Sequence, residues 1–268
     1  MAVRLGIWDS PAAEFLISGL AGSGLEIEPV TIQPANCLYA VESGEVDVAL
    51  VPTLDVVRRS EGFEVLPAVA LSSWHYPFAR IHLPSDLTEA PERVLYEHEC
   101  TQEALLARVV LKEHYAMEPE FVGVASEELL ASKEARLLVS RDVPALDEGG
   151  ALLDLGEEWF EMAAYPMVWG VLVVRAGQAS QFLVDQFRLM VERSEALREQ
   201  WVESKNQDES IRRFYSEDVR LRFDDLAIAS ITELIDHAFY HDLTDEILDF
   251  PIAQFDRDGE ESGEETDY

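Results

Sequence analysis

Apolar residues in this chain recur in two patterns. Some runs are short, β-branched and either unbroken or alternating with polar residues, as in strands; others repeat at i, i+3, i+4 and i+7, as on one face of a helix. Residues 3–8 predict a strand. Ser10-Pro11 then supplies an N-cap followed by proline at the first helical position, and Ala13, Leu16, Ile17 and Leu20 form one face of the helix that follows. Gly22-Ser23-Gly24 makes a turn, and residues 25–32 alternate as a second strand. Pro34 opens a second helix, Ser43-Gly44 ends it, and residues 45–51 form a third strand stopped by Pro52. The order β-α-β-α-β is the start of a doubly wound α/β unit.

Strand-like runs follow at 63–71 and 81–83, separated by a polar and aromatic connection at 72–80. The same order then recurs: a strand at 94–96, a helix at 101–115 with Leu105, Leu106, Val109 and Val110 inward, a strand at 121–124, a helix at 126–132 and a strand at 135–140. No sequence repeat accompanies this repeat of architecture. In the stretch 154–175, Asp154 stands at an N-cap with Glu157 three residues on, and Leu155, Trp159, Met162 and Ala163 share a helical face. Pro166 stops that helix. Residues 167–174 are almost wholly apolar, which suits a strand buried on both faces of a parallel or mixed sheet. From Gln178 onward the pattern is helical, with Phe182, Phe187, Met190 and Val191 at helical spacing and Leu226, Ile228, Ile231, Leu234, Ile235 and Ala238 on a last long helix. The expected organisation is two lobes: residues 1–75 with 175–250, including the C-terminal helices, and residues 80–170. Residues 256–268, acidic and poor in apolar anchors, are expected to be a disordered tail.

Charge changes the picture more than composition does. The 268 residues carry 53 Asp and Glu against 20 Lys and Arg, a formal net charge of −33. The acidic residues are spread along the chain, the pattern of a solvated surface suited to concentrated salt, as in a halophilic protein. Nucleic acid is excluded as a partner because a basic footprint is missing. Two cysteines, Cys37 and Cys100, make no disulfide framework and no CxxC pair. The first residues lack the basic and apolar regions of an export signal, and no apolar run reaches the length of a membrane span. The expectation is a soluble, cytoplasmic chain, monomer or homodimer.

In open α/β sheets, ligands bind beyond the carboxyl ends of strands. The residues expected there are Ser10 after the first strand and Thr53 after the third, then Ser72, Ser73, Trp74 and His75 in the connection. Thr101 and Gln102 open the 101–115 helix, and Ser140 and Arg141 follow a strand, with Asp142 beside them. The helix start at Thr101 suits a carboxylate, since its free backbone N–H groups and dipole favour an anion; Thr101 serves equally as a plain cap. Glu97-His98-Glu99 alternates on a strand, so His98 points away from both acids, and His237 and His241 lie on a polar helix face. No metal is expected. No GxGxxG or P-loop occurs, so no nucleotide cofactor is expected either.

Three segments carry a resemblance to a known family. The stretch 154–175, DLGEEWFEMAAYPMVWGVLVVR, resembles the "DLGEEW … lPfVfavWv" segment of the menaquinone-biosynthesis family that includes chorismate dehydratase of the futalosine route. Residues 43–52, SGEVDVALVP, are similar to that family's "sGevDvALvPs", and Arg4-Leu5-Gly6-Ile7 is placed like its first strand. The resemblance implies a two-lobed, periplasmic-binding-protein-like (type II) α/β fold with a cleft for a small carboxylate. It also implies a lyase that dehydrates chorismate to 3-[(1-carboxyvinyl)oxy]benzoate with no cofactor. The family's dihydroxynaphthoate branch fits less well, because its histidine base has no counterpart here. The chain departs from the family where an asparagine associated with catalysis falls on Ala12 and a serine on Ala79, unless gaps bring Ser10 or Ser72 to those places. Alanine neither donates a hydrogen bond nor relays a proton. The alternative is therefore a non-catalytic small-anion-binding protein of the same fold.

Overall fold

The computed structural model describes residues 2–59, 61–85, 89–141, 150–204, 208–247 and 249–255. Asp142 and the acidic tail at 256–268 lie outside them. The strands are β1 (Val3–Ile7), β2 (Ile27–Thr31), β3 (Val48–Pro52), β4 (Phe63–Ser73), β5 (Ala79–Pro84), β6 (Arg93–Glu97), β7 (Glu120–Val124), β8 (Ala135–Val139), β9 (Gly150–Asp154), β10 (Met167–Arg175) and β11 (Val219–Arg222). The helices are α1 (Pro11–Ser18), α2 (Cys37–Ser43), α3 (Thr53–Arg58), α4 (Thr101–Tyr115), α5 (Ser126–Ala131), α6 (Leu155–Ala163), α7 (Gln181–Ala196), α8 (Arg198–Ser204), α9 (Glu209–Arg213) and α10 (Asp225–Tyr240). A turn of π-helix, Phe214–Asp218, links α9 to β11.

Two mixed sheets result, one of six strands in the order β11-β4-β10-β3-β1-β2 and one of five in the order β7-β6-β8-β5-β9. Each contains a parallel β-α-β-α-β unit with its first strand in the middle: β2-β1-β3 in one, β7-β6-β8 in the other. Each unit is then flanked by an antiparallel strand, β10 beside β3 and β5 beside β8. The chain crosses between the sheets at the β4–β5 connection and again through α6.

The β10 run is apolar on both faces because strands pair on both its edges and helices cover its faces. Its first eight residues are all buried, and it is antiparallel to both β3 and β4. Gly170 in β10 has no side chain because the Trp8 ring lies where a Cβ would project. Gly156 in the first turn of α6 plays the same part toward the connection, where an added Cβ would stand 2.8 Å from the Tyr76 nitrogen.

Several elements differ from the pattern reading. The short α3 follows Pro52 directly. Strand β9 pairs with β5, and β11 pairs with the end of β4 inside a region whose spacing reads as helical. Strand β4 also runs two residues past its apolar stretch, because Ser72 and Ser73 pair with Val168 and Met167. Phe182 and Ile228 sit at helical spacing yet are exposed.

Candidate active site in the cleft between the sheets

The carboxyl ends of β1, β2 and β3 face those of β6 and β8, and a cavity of about 360 Å³ lies between them. Its walls are Trp8, Asp9, Ser10 and Pro11 after β1, Thr31 to Pro34 at the end of β2, Glu97, Glu99 and Cys100 at the end of β6, and Val139, Ser140 and Arg141 at the end of β8. Tyr76, Phe78 and Glu103 complete it. A narrow extension continues past Glu103 and Tyr76 to Pro52, Asp55, Thr101, Gln102 and Trp169. The volume falls within the range of small-molecule sites, roughly 300–1,000 Å³.

Aromatic packing fixes one wall. The Tyr76 ring stacks on Trp169 with centroids 4.1 Å apart, and the Trp169 indole N–H donates to the Ser73 hydroxyl at 2.8 Å. Tyr76 also meets the edges of Phe78 and Phe214. Its backbone is held from the other side: the Tyr76 N–H donates to Asp154 Oδ1 at 2.8 Å, the oxygen that also caps α6 by accepting from the Gly156 and Glu157 N–H groups at 3.0 Å. Burial pushes the Tyr76 phenol well above its ordinary pKa, and the neighbouring Ser10 hydroxyl pulls it the other way. Ser10 in turn caps α1, accepting from the Ala13 N–H at 3.1 Å.

The charged groups are mostly acids. Glu103, in the first turn of α4, lines both the main cavity and its extension. Burial pushes its carboxyl up to about 7; its own backbone N–H pulls the other way and the charge of Asp55 adds to the rise. Burial likewise raises Asp55. Glu99 accepts from the Gln33 amide at 3.0 Å. Among the described residues lining the cavity and its extension, Arg141 is the one cation. Its guanidinium reaches across the mouth from the end of β8 to Asp9 and to Glu14, the latter at 2.6 Å.

The structure thus brings Ser10, Thr101, Gln102, Ser140 and Arg141 to the cleft. Gln102 is already engaged at both ends, accepting from the Leu54 N–H at 3.0 Å and donating to the Trp169 carbonyl at 2.9 Å, so it ties α4 to α3 and β10. Thr53, Ser72 and Ser73 are buried in the framework, and Trp74 packs edge-on against Phe160; none of these four lines the cavity. Ala12 and Ala79 are both fully buried and stand outside the lining. Sequence reasoning missed Tyr76, Phe78 and Glu103. The first two follow His75 in the same connection and were within reach. An acid in a helix's first turn is so ordinary a complement to the dipole that Glu103 carried no signal.

Elsewhere, His75 is sandwiched between Asp154, with Nε2 to Oδ2 at 3.2 Å, and Asp218, with Nδ1 to Oδ2 at 3.6 Å. Arg213 approaches Asp218 at 3.5 Å. Burial alone would lower the His75 pKa, but the neighbouring carboxylates of Asp218 and Asp154 outweigh it and raise it. A metal-compatible group among the described residues, His114, Glu158 and Glu161, lies where α4 meets α6, with His114 and Glu161 exposed and Nδ1 of His114 3.1 Å from Glu158. It shares no residue with the cleft and reads as ion pairs. His237 and His241 pair with Glu233 and Glu113. Both thiols are free, Cys37 buried and Cys100 half-buried, and burial pushes Cys37 up to about 12.

Solved structures share this architecture. A protein of Archaeoglobus fulgidus superposes with a TM-score of 0.67 at 18% identity, over 90% of this chain and 98% of that one. A Candida albicans gene product, described as having the generic periplasmic-binding-protein fold, gives 0.64 at 13% identity over 96% and 99%. The periplasmic aliphatic sulphonate-binding protein of Escherichia coli gives 0.65 at 11% identity over 94% and 92%. At these identities the likeness is one of fold. A search of curated protein sequences finds no match. No helix among the described residues is long and apolar enough to cross a membrane. The family model described as menaquinone biosynthesis matches residues 3–240, and the chain accordingly belongs to the menaquinone-biosynthesis family, built on the two-lobed periplasmic-binding-protein fold.

Proposed function

We propose that this chain is a carbon–oxygen lyase of the chorismate dehydratase type, converting chorismate to 3-[(1-carboxyvinyl)oxy]benzoate. Family membership supports menaquinone biosynthesis, and the cleft supports the substrate class. The observation that carries the reading is an aromatic-walled cavity of about 360 Å³ between the two parallel units, with a titratable carboxyl inside it. Trp8, Tyr76 and Phe78 suit the faces and edges of a six-membered ring. The Ser10, Ser140 and Thr101 hydroxyls, with Arg141 at the mouth, supply donors for carboxylate oxygens. Arg141 must loosen its bonds to Asp9 and Glu14 to take part.

The second reading, binding without turnover, rests on Ala12 and Ala79. Neither touches the cavity, so any polar groups that act on the ligand must come from the cavity lining.

The test is incubation with chorismate in molar KCl, with chromatography and mass detection of a product lighter by one water. Appearance of the benzoate product at a rate set by protein concentration supports the lyase. Unchanged chorismate together with a ligand-induced rise in melting temperature supports the binding reading. Neither turnover nor binding rejects the ligand class.

A further inference from the structure

The dehydration just proposed needs a proton acceptor at the ring carbon that bears the ether and a proton donor for the hydroxyl on the next carbon. In chorismate the ether and the hydroxyl are trans, so the departing hydrogen and the departing hydroxyl lie on one ring face. One group on that face can serve both. Resting on the lyase reading, we infer that Glu103 is that catalytic residue. Glu103 lines both the cavity and the extension. It is held at the start of the long helix α4, whose second residue, Gln102, is tied at both amide ends. The residue is therefore placed on the cavity wall by a rigid element. In the ungapped alignment the family's asparagine and serine fall on Ala12 and Ala79, both fully buried and outside the lining, so a protein group that moves the proton comes from the lining. Tyr76 shares the cavity but is pushed to a higher pKa by burial and by the charge of Glu103, which keeps it protonated as a donor. Aspartate 55, at the far side of the extension, raises Glu103 further.

The step balances within the site. The ring C–H bond breaks and its proton passes to the Glu103 carboxylate. The freed electron pair forms the new ring double bond as the C–O bond to the hydroxyl breaks. The leaving oxygen takes the proton from the Glu103 carboxyl and departs as water. The ring becomes aromatic, and Glu103 returns to its carboxylate with no oxidant or reductant required. A group with a pKa near 7 holds both forms accessible at neutral pH.

The experiment compares the parent, Glu103→Gln and Glu103→Asp in molar KCl. It records product formation from chorismate between pH 5.5 and 9, affinity for the benzoate product by tryptophan fluorescence, and melting temperature. For the parent, kcat/KM should rise with pH through about 7. The Gln variant should lose roughly 10²–10³-fold in kcat, lose that pH limb, and keep its melting temperature and product affinity within about threefold. The Asp variant should keep the limb with a smaller loss, which a purely structural role would not produce. A Gln variant within about fivefold of the parent, with the same limb, overturns the assignment while leaving the lyase reading intact. A Gln variant that fails to fold passes the decision to the Asp variant, whose loss of the limb overturns it. A parent that makes no product rejects the lyase reading itself, and the proton-transfer role falls with it.

Discussion

Replacing Asp154 is the sharpest perturbation of the framework that holds the cleft. Its Oδ1 accepts three backbone N–H groups, from Tyr76 at 2.8 Å and from Gly156 and Glu157 at 3.0 Å each. Its Oδ2 faces His75. Asp154→Ala removes the N-cap of α6, which alone costs about 0.5–2 kcal/mol. It also leaves the buried Tyr76 N–H without an acceptor, worth about 1–3 kcal/mol, and breaks a buried ion pair from one side. These terms share one side chain and do not add fully, so the expected loss is roughly 3–5 kcal/mol. For a chain of this size that lowers the melting temperature by about 6–20 °C. Asp154→Asn keeps an oxygen for the three N–H groups and gives up only the charge facing His75, so it should fall between the parent and the alanine variant. Thermal unfolding by circular dichroism in molar KCl measures all three. An alanine variant within about 1 kcal/mol of the parent, or an asparagine variant as unstable as the alanine one, would falsify this account of how Tyr76 is held.

Gln102→Ala should cost roughly 2–4 kcal/mol, because the buried Leu54 N–H and Trp169 carbonyl both lose their partner; denaturation melts within 1 °C of the parent would show that the strut is idle. His75 has its pKa raised in the folded state. Its contribution is therefore fully present below its unfolded value, about 6.5, and is lost as pH rises through the folded value. Stability should fall across that window in the parent and be flatter there in His75→Gln, and identical pH profiles would refute the pairing with Asp154 and Asp218. With a net charge of −33, the melting temperature should climb with KCl into the molar range, where the Debye length is about 3 Å; a flat curve would remove surface repulsion as the controlling term.

How much of this was legible in the sequence varies with the physics of each element. Helix α4 (Thr101–Tyr115) and the cap at Asp154 were readable because periodicity and capping act locally. The segments of α3 and β11 were not. Thr53–Arg58 is too short to show a helical period, and Val219–Arg222 is a strand only because β4 offers its edge. The carboxyl-end rule found Ser10, Ser140 and Arg141, which sit on loops that a strand order can place. It also named Ser72 and Ser73, whose polarity serves the sheet itself: Ser73 receives the Trp169 indole. Glu103 was not legible because its place on the cavity wall arises only after folding, and local sequence does not record burial.

The most direct test is a crystal structure of the chain grown from molar salt with 3-[(1-carboxyvinyl)oxy]benzoate. The account predicts the benzoate ring in the cleft between Trp8, Tyr76 and Phe78, with the ether-bearing carbon within hydrogen-bonding reach of Glu103 and a carboxylate near Ser10, Ser140 or Arg141. Ligand bound outside the cleft, or inside it with Glu103 turned away from the ring, would contradict it.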